Sequence, residues 1–574
     1  MAQWLWTYIK RYRFRMALGL FLSILVSGLN MVNPRISGQI VDRVILGGEK
    51  NLIWIFVGII VSVTLVKAII RYSYQMLFEH VSQNALKSIR EDCFAHLHRQ
   101  DFSYFDRTRT GDLMTALSSD LDAVRHFIAW VIYQLFENII VFCFAVAVLF
   151  SVNWQLTLIL LGLSPFIGLF AFLLTRRVKP MFAKVRAQFS SLNTRVQENI
   201  SGNRVVRAFT REGHETTRFE EENAGFRKAN LESAGVWGTF IPLIDACTGL
   251  MPVLLILAGG IFIIQGRMSL GDLVVFSGLT WAITMPLNML GWLLNDVQRF
   301  RASAERVYAV YDAKPSIFEL PAAHLPQAVK GSIEFRNVSF GYDEVPVIKD
   351  LSFKLEAGHC LGILGPTGSG KSTIARLIPR WYEVDEGQIL VDGIDVRDWP
   401  LDALRANVGA AMQDPFLFSD SIEANIAFAN MDLPDDEIRR AARLAAADEF
   451  VDKLPEGYET VVGERGVGLS GGQRQRLTLA RLIAANTPVM ILDDTSSSVD
   501  LETEERIRAS IEELKGKHTL IVIAHRISTL RMADSIIVLE DGRLADRGTH
   551  EELTAREGYY QKVWRHQIGE NHGA

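Results

Sequence analysis

The stretch CLGILGPTGSGKSTIARLIPRW, residues 360–381, decides the architecture of the C-terminal half. Five apolar residues, Cys360–Leu364, have the length and composition of a buried strand. Gly365-Pro366-Thr367-Gly368-Ser369-Gly370-Lys371-Ser372 follows and fits GxxxxGK[ST]. Glycines at these positions let backbone N–H groups wrap a chain of phosphates. Lys371 then reaches the terminal phosphates, and the Ser372 hydroxyl is placed to ligate Mg2+. The helical stretch Thr373–Trp381 completes the strand–loop–helix context that the pattern requires.

Working outward, short β-branched strands alternate with helices from Gly331 to the C-terminus, the mark of an α/β domain. Val489–Asp493 is an apolar strand ending in a carboxylate, and in a phosphate-loop fold that carboxylate holds the Mg2+ shell. Upstream, Lys314–Lys330 contains Pro and Ala and reads as a linker. The expected division is therefore 1–313, a linker at 314–330, and 331–574.

The N-terminal part is different in kind. The whole chain of 574 residues is 49% hydrophobic and 22% charged, with a mean hydropathy of +0.15. That excludes a disordered chain. A net charge of -5 argues against a protein that binds nucleic acid through bulk positive charge, and four cysteines are too few for a disulfide scaffold. The average joins two unlike pieces. Apolar runs lie at about 16–32, 52–70, 127–152, 155–175, 240–264 and 273–294, and the second carries a single charge, Lys67. Each is near the ~20 residues a helix needs to cross ~30 Å of hydrocarbon. The expectation is six membrane-spanning helices, the last continuing to about Asp312.

Their spacing sets the orientation. Short connections at 33–51, 153–154 and 265–272 alternate with long polar stretches at 71–126 and 176–239. The long stretches are basic, including Arg71, Lys87, Arg90, Arg176, Arg177 and Lys179, and Lys10, Arg11, Arg13 and Arg15 precede the first run. The positive-inside rule puts both termini and both long stretches in the cytoplasm and the short connections outside. Few helix breakers interrupt the long stretches, so the helices are expected to run on out of the membrane. No small-residue cleavage site follows the first run, so it is not read as a signal peptide. Two tips carry exposed aromatics beside a glycine: Phe102–Asp106 with Gly111, and Gly202 followed by Val205–Phe209. Aromatics at a solvated tip imply a docking partner.

Six further motifs complete the pattern. Leu469-Ser470-Gly471-Gly472-Gln473 resembles the signature motif of ABC ATPases. In the order of that family follow Tyr342, similar to the aromatic that stacks on adenine, and Gln413, similar to the Mg2+-contacting Q-loop residue. Glu464-Arg465-Gly466 resembles the exporter X-loop, Ser497–Asp500 the D-loop, and His525 the switch histidine at the γ-phosphate. Together with the six apolar runs, the chain resembles an ABC exporter half-transporter of the type IV transporter fold over nearly its whole length. The resemblance implies an all-α six-helix transmembrane domain followed by an α/β phosphate-loop ABC ATPase domain. It implies ATP and Mg2+ as cofactors, with Ser372, Gln413 and Asp493 at the metal and Gly365, Thr367–Thr373, Leu469–Gln473 and Asp500 at the nucleotide. It makes the two tips coupling helices, the second docked on the partner's ATPase domain. It also implies a cytoplasmic-membrane location, a second half-transporter chain, surrounding lipid and no nucleic acid.

One residue departs from the family pattern. The position after the strand-end aspartate is usually Glu, which polarises the attacking water; here it is Asp494. The carboxylate is withdrawn by roughly one C–C bond, ~1.5 Å, and a misplacement near 1 Å can cost about 10²-fold. An Asp here resembles the weak-site subunit of heterodimeric multidrug exporters, with the intact signature serving the partner's site. The substrate expected is an amphipathic small molecule. Glu137, inside the third run, is a candidate for a cationic ligand or for a bond between helices, with Lys67 as one possible partner. A homodimeric lipid flippase, a peptide exporter and an ATP-gated channel or regulator with weak hydrolysis are the alternatives.

Overall fold

The computed structural model describes residues 1–318, 328–342, 345–495 and 499–569. The chain forms two compact units, one of Met1–His98 with Arg109–Ala313, the other of Arg99–Thr108 with Lys314–Ala574.

The first unit holds six helices long and apolar enough to cross a membrane: Arg13–Leu46, Leu52–His98, Thr110–Val152, Trp154–Ser201, Glu212–Ile264 and Leu270–Asp312. In hydrocarbon every backbone polar group must be satisfied within its own segment, which selects helix over open sheet. The fifth has 53 residues, about 80 Å at ~1.5 Å per residue, so much of it extends beyond a bilayer. Val141, Ala145, Leu149, Leu156, Leu160, Phe276 and Leu279 pack inside, while Leu65, Ile69, Ile256 and Ile264 stay exposed on the unit's surface. Turns are capped locally: Asn153 accepts from the Leu156 N–H at 3.0 Å, and Ser269 opens the last helix in a capping box with Asp272. Asp42 ties the first helix to that turn, accepting from the Ser269 hydroxyl at 2.6 Å and the Gly271 N–H at 2.7 Å. Close backbone approach at Gly38 makes this possible, since a Cβ there would lie 2.6 Å from the Gly271 carbonyl oxygen.

The second unit contains two sheets. The strands are β1 (Ile333–Gly341), β2 (Pro346–Leu355), β3 (Cys360–Leu364), β4 (Glu386–Val391), β5 (Ile394–Asp395), β6 (Val408–Ala411), β7 (Val489–Asp493), β8 (Thr519–Ile523), β9 (Ser535–Glu540) and β10 (Arg543–Gly548). An antiparallel sheet has the order β2-β1-β4-β5; the other has the order β10-β9-β3-β8-β7-β6, parallel from β9 to β6. All five residues of β3, β7 and β8 are buried, which is why they read as unbroken apolar runs. The helix after the phosphate loop runs over Lys371–Leu377 rather than Thr373–Trp381. Pro379 has no N–H to continue it, and Arg380 sits at φ 53°.

The first tip belongs to this unit. Phe102 stacks on Trp381 at 4.8 Å, and Asp106 accepts from the Tyr382 hydroxyl at 2.7 Å. Asp101 is buried and accepts from the Ser103 hydroxyl at 2.6 Å, the Tyr104 N–H at 3.1 Å, the Ser316 N–H at 2.5 Å and the Ser316 hydroxyl. Burial alone would raise the Asp101 pKa, but these bonds outweigh it and hold the carboxyl below the ordinary value. Asp101→Ala should therefore lower the melting temperature of the detergent-solubilised chain. Four donors lose their acceptor, each orphaned donor costing about 1–3 kcal/mol. Because the folded-state pKa is depressed, this stabilisation is complete above the ordinary carboxylate value of about 3.9 and fades as pH falls through the lowered one. The difference between wild type and Asp101→Asn, read by thermal unfolding against pH, should narrow on acidification.

Candidate functional site

β3 delivers the phosphate loop. Gly368 and Gly370 have φ of 83° and 97°, a left-handed conformation that favours glycine. At Gly370 a side chain would also strike Ile348. Gly365 is buried, whereas Thr367 and Gly368 are exposed. Lys371 is buried, and its ammonium donates to the carbonyls of Gly365 and Pro366, each at 2.9 Å. Burial pushes its pKa below the usual lysine value, against the opposing pull of Asp493 and Asp494. The Ser369 hydroxyl is buried with no hydrogen-bond partner among the described residues. Thr373 Oγ1 lies 3.3 Å from the Tyr342 hydroxyl, which also accepts from Arg376 Nη1 at 3.1 Å.

β8 lies between β3 and β7, so the end of β7 presents Asp493 in the same sheet as the loop. Asp493 is buried and its Oδ2 has no hydrogen-bond partner among the described residues. Burial raises its pKa, and so does the neighbouring charge of Asp494, while a hydrogen bond from Ser372 works against both. A buried carboxylate with one unpartnered oxygen, hydrogen-bonded by the Ser372 hydroxyl, is a hard-oxygen set that fits Mg2+, which takes one or two protein ligands besides phosphate and water.

Asp494 is also buried. Its backbone is held at φ 50°, with its N–H donating to the Ile523 carbonyl at 2.9 Å and its carbonyl accepting from Gln475 Nε2 at 3.4 Å. Just past β8, His525 is exposed. Gln413, two residues beyond β6, is exposed as well.

The signature residues open a helix. Ser470 is the N-cap of Gly471–Ala485: its hydroxyl accepts from the Gln473 N–H at 3.3 Å, and the Gln473 side chain accepts from the Ser470 N–H at 2.7 Å. Leu469 packs against the core, Gly472 is buried and Ser470 is exposed. Glu464–Gly466 forms one 3-10 turn. Asp500 caps the helix Leu501–Leu514, accepting from the Thr503 N–H at 2.9 Å. Of the expected D-loop, Val499 is buried, while residues 497 and 498 lie outside the described residues.

Several residues of the site were not anticipated. Arg376 sits one turn after Ser372, and helical spacing alone would have found it. Tyr382 was not legible: its ring meets Tyr342 edge-on at 5.0 Å while its hydroxyl binds Asp106. In the membrane unit, Glu137 is buried and accepts from the Tyr74 hydroxyl at 3.0 Å. Its ion-pair partner is Arg71, at 3.5 Å, in place of the Lys67 suggested by sequence.

Comparison with known proteins agrees with this architecture. Residues 16–287 match the family model of the ABC transporter transmembrane region, and 348–497 match that of the ABC transporter. The chain is 34% identical over 555 residues to the ATP-dependent lipid A-core flippase of Desulfotalea psychrophila, covering 96% of this chain and 97% of that one. It is 33% identical over 573 residues to the Multidrug resistance-like ATP-binding protein MdlA of Escherichia coli, covering 99% and 96%. Among solved structures, a bacterial Atm1-family ABC exporter with ATP bound superposes with a TM-score of 0.80 at 28% identity, over 96% of this chain and 98% of that one. Two domains, one chain and full-length relatives lead to a single conclusion: the chain belongs to the ABC transporter family, as an exporter half-transporter that uses ATP and works as part of a dimer.

Proposed function

We propose that this chain is one half of a heterodimeric exporter of amphipathic small molecules, and that its own phosphate loop mainly retains ATP while its signature serves the partner's hydrolytic site. Asp494 carries this reading. Its backbone is tied to Ile523 and Gln475, so the main chain has little room to advance and restore the reach of the missing methylene. The signature, by contrast, has its Ser470 cap in place, as a motif working for the other chain should.

The resemblance supplies the remaining roles. Tyr342 stacks on adenine, and the loop from Gly365 to Thr373 holds the phosphates. Ser372, Asp493 and Gln413 hold Mg2+, and His525 faces the γ-phosphate. Both termini lie in the cytoplasm. ATP drives the cycle by binding the closed pair of domains better than the open pair, and only that difference does work. The two tips differ in a way that suits a dimer. Phe102 and Asp106 are engaged with Trp381 and Tyr382, whereas Ile200, Val205 and Phe209 of the second tip are exposed, ready for the partner's ATPase domain.

The substrate class leans on relatives named for multidrug resistance and for lipid A-core flipping; both kinds of cargo are amphipathic. Glu137 is assigned to the membrane core, since Arg71 already balances its charge. Cells expressing Glu137→Gln at wild-type membrane levels should keep their resistance to cationic dyes. Selective loss of that resistance, with ATP hydrolysis intact, would return the carboxylate to the ligand.

The asymmetry is tested by hydrolysis. The chain purified alone should turn over ATP slowly and accelerate when its partner is added; brisk turnover alone would sink the heterodimer. In the assembled pair, Asp494→Asn should cost less than about twofold. Asp494→Glu should raise hydrolysis at this chain's own site by roughly 10-fold or more, by returning the carboxylate to reach.

A further inference from the structure

The loop that carries His525 is gripped by the last helix of the chain. Gln567, near the end of Tyr559–Gly569, donates its Nε2 to the His525 carbonyl at 2.9 Å and accepts from the Ile527 N–H on its Oε1, also at 2.9 Å. One side-chain amide thus brackets three consecutive backbone residues. The residue in the middle is held from elsewhere. Arg526 binds the buried Glu504, which also accepts from the Ser528 hydroxyl at 3.3 Å and the Thr529 hydroxyl at 2.9 Å. Glu504 therefore secures the loop from Arg526 onward, and Gln567 is the side-chain contact on the His525 backbone itself.

The helix that bears Gln567 is well seated. Tyr560 is fully buried and its hydroxyl lies 2.7 Å from His550 Nδ1, and Val563 and Trp564 pack on the core. Removing the Gln567 amide thus leaves the helix anchored and releases only the loop.

We infer that Gln567 is a positioning residue for the switch loop, so that the C-terminal helix sets how long ATP is held at this chain's own site. The inference rests on His525 facing the γ-phosphate. Gln567 touches no reacting atom. It fixes the backbone from which the imidazole projects, and an unfixed backbone spreads His525 over positions that do not meet the phosphate.

The test uses the detergent-purified transporter with whatever partner chain co-purifies. A radiolabelled azido-ATP is bound with Mg2+, chased with unlabelled ATP and photolysed at intervals, and the label on this chain gives a retention half-life. Gln567→Met keeps the length and removes both hydrogen bonds. It should shorten retention by roughly five- to thirtyfold, the population shift that one or two hydrogen bonds control. The melting temperature and the ATP concentration for half-maximal labelling should stay near wild type. Gln567→Glu keeps the acceptor for Ile527 but turns a carboxylate oxygen towards the His525 carbonyl, so it should not rescue. His525→Ala calibrates the assay and should shorten retention at least as much. Unchanged retention in His525→Ala would remove the role of His525 and this inference with it. A shortened half-life in His525→Ala beside an unchanged one in Gln567→Met would overturn the inference alone. A fall in retention that tracks a fall in melting temperature would overturn it as well, by making Gln567 merely structural.

Discussion

Three charged side chains are buried together where β3 and β7 end. Lys371 is there with Asp493 and Asp494, and each is out of water. Burial lowers the Lys371 pKa and raises that of Asp493, because it disfavours the charged form of each. Carbonyl contacts from Gly365 and Pro366 occupy the ammonium, but Asp493 Oδ2 has no hydrogen-bond partner among the described residues. On the roles proposed above, a magnesium-bound triphosphate would answer both needs, with the metal held by the carboxylate and the phosphates by the ammonium. The parallel sheet holds these strand ends side by side.

From that centre, contacts run in two directions. One passes through Arg376 and Tyr342 to Tyr382, whose hydroxyl is bound by Asp106 in the segment that follows the second membrane helix. Only packed rings and one charge-assisted hydrogen bond separate Tyr342 from the first tip. The other passes from the end of β8 through Glu504 into the helix capped by Asp500. Interfaces of packed aromatics and bidentate carboxylates tend to occupy discrete arrangements, which is what transmission between sites requires.

Much of this was legible from residue order, and the reason is physical. Gly368 and Gly370 announce themselves because their backbone angles exclude other residues, and six apolar runs announce themselves because hydrocarbon tolerates nothing else. Contacts between residues distant in sequence leave no such trace. Asp106 and Tyr382 are 276 positions apart, and neither type is unusual in its local setting. Glu137 was conspicuous as a carboxylate in an apolar run, but its partner was not. Lys67 stood out by its isolation, whereas Arg71, one turn further along, was read as part of a cytoplasmic stretch; helical geometry brings the latter to Glu137. The helix ends at Leu377 although apolar residues continue to Trp381, because Pro379 cannot donate to the helical ladder.

The short side chain at Asp494 fits this physics better than a simple loss of function does. Hydrolysis at a site destroys the ligand that holds the two domains together, whereas a site that keeps its ATP continues to favour the closed pair by its differential affinity. On the roles proposed above, shortening the carboxylate by one methylene would leave the charge near Mg2+-ATP and withdraw only the group that positions water. A chain can therefore give up the catalytic step and retain all of the binding energy. What such a site needs is a way of governing how long the nucleotide stays. Gln567 and Glu504 grip the two sides of the loop that carries His525, so on the role proposed for His525 the restraint on that loop would act on the lifetime of the closed state even where the hydrolytic step is slow.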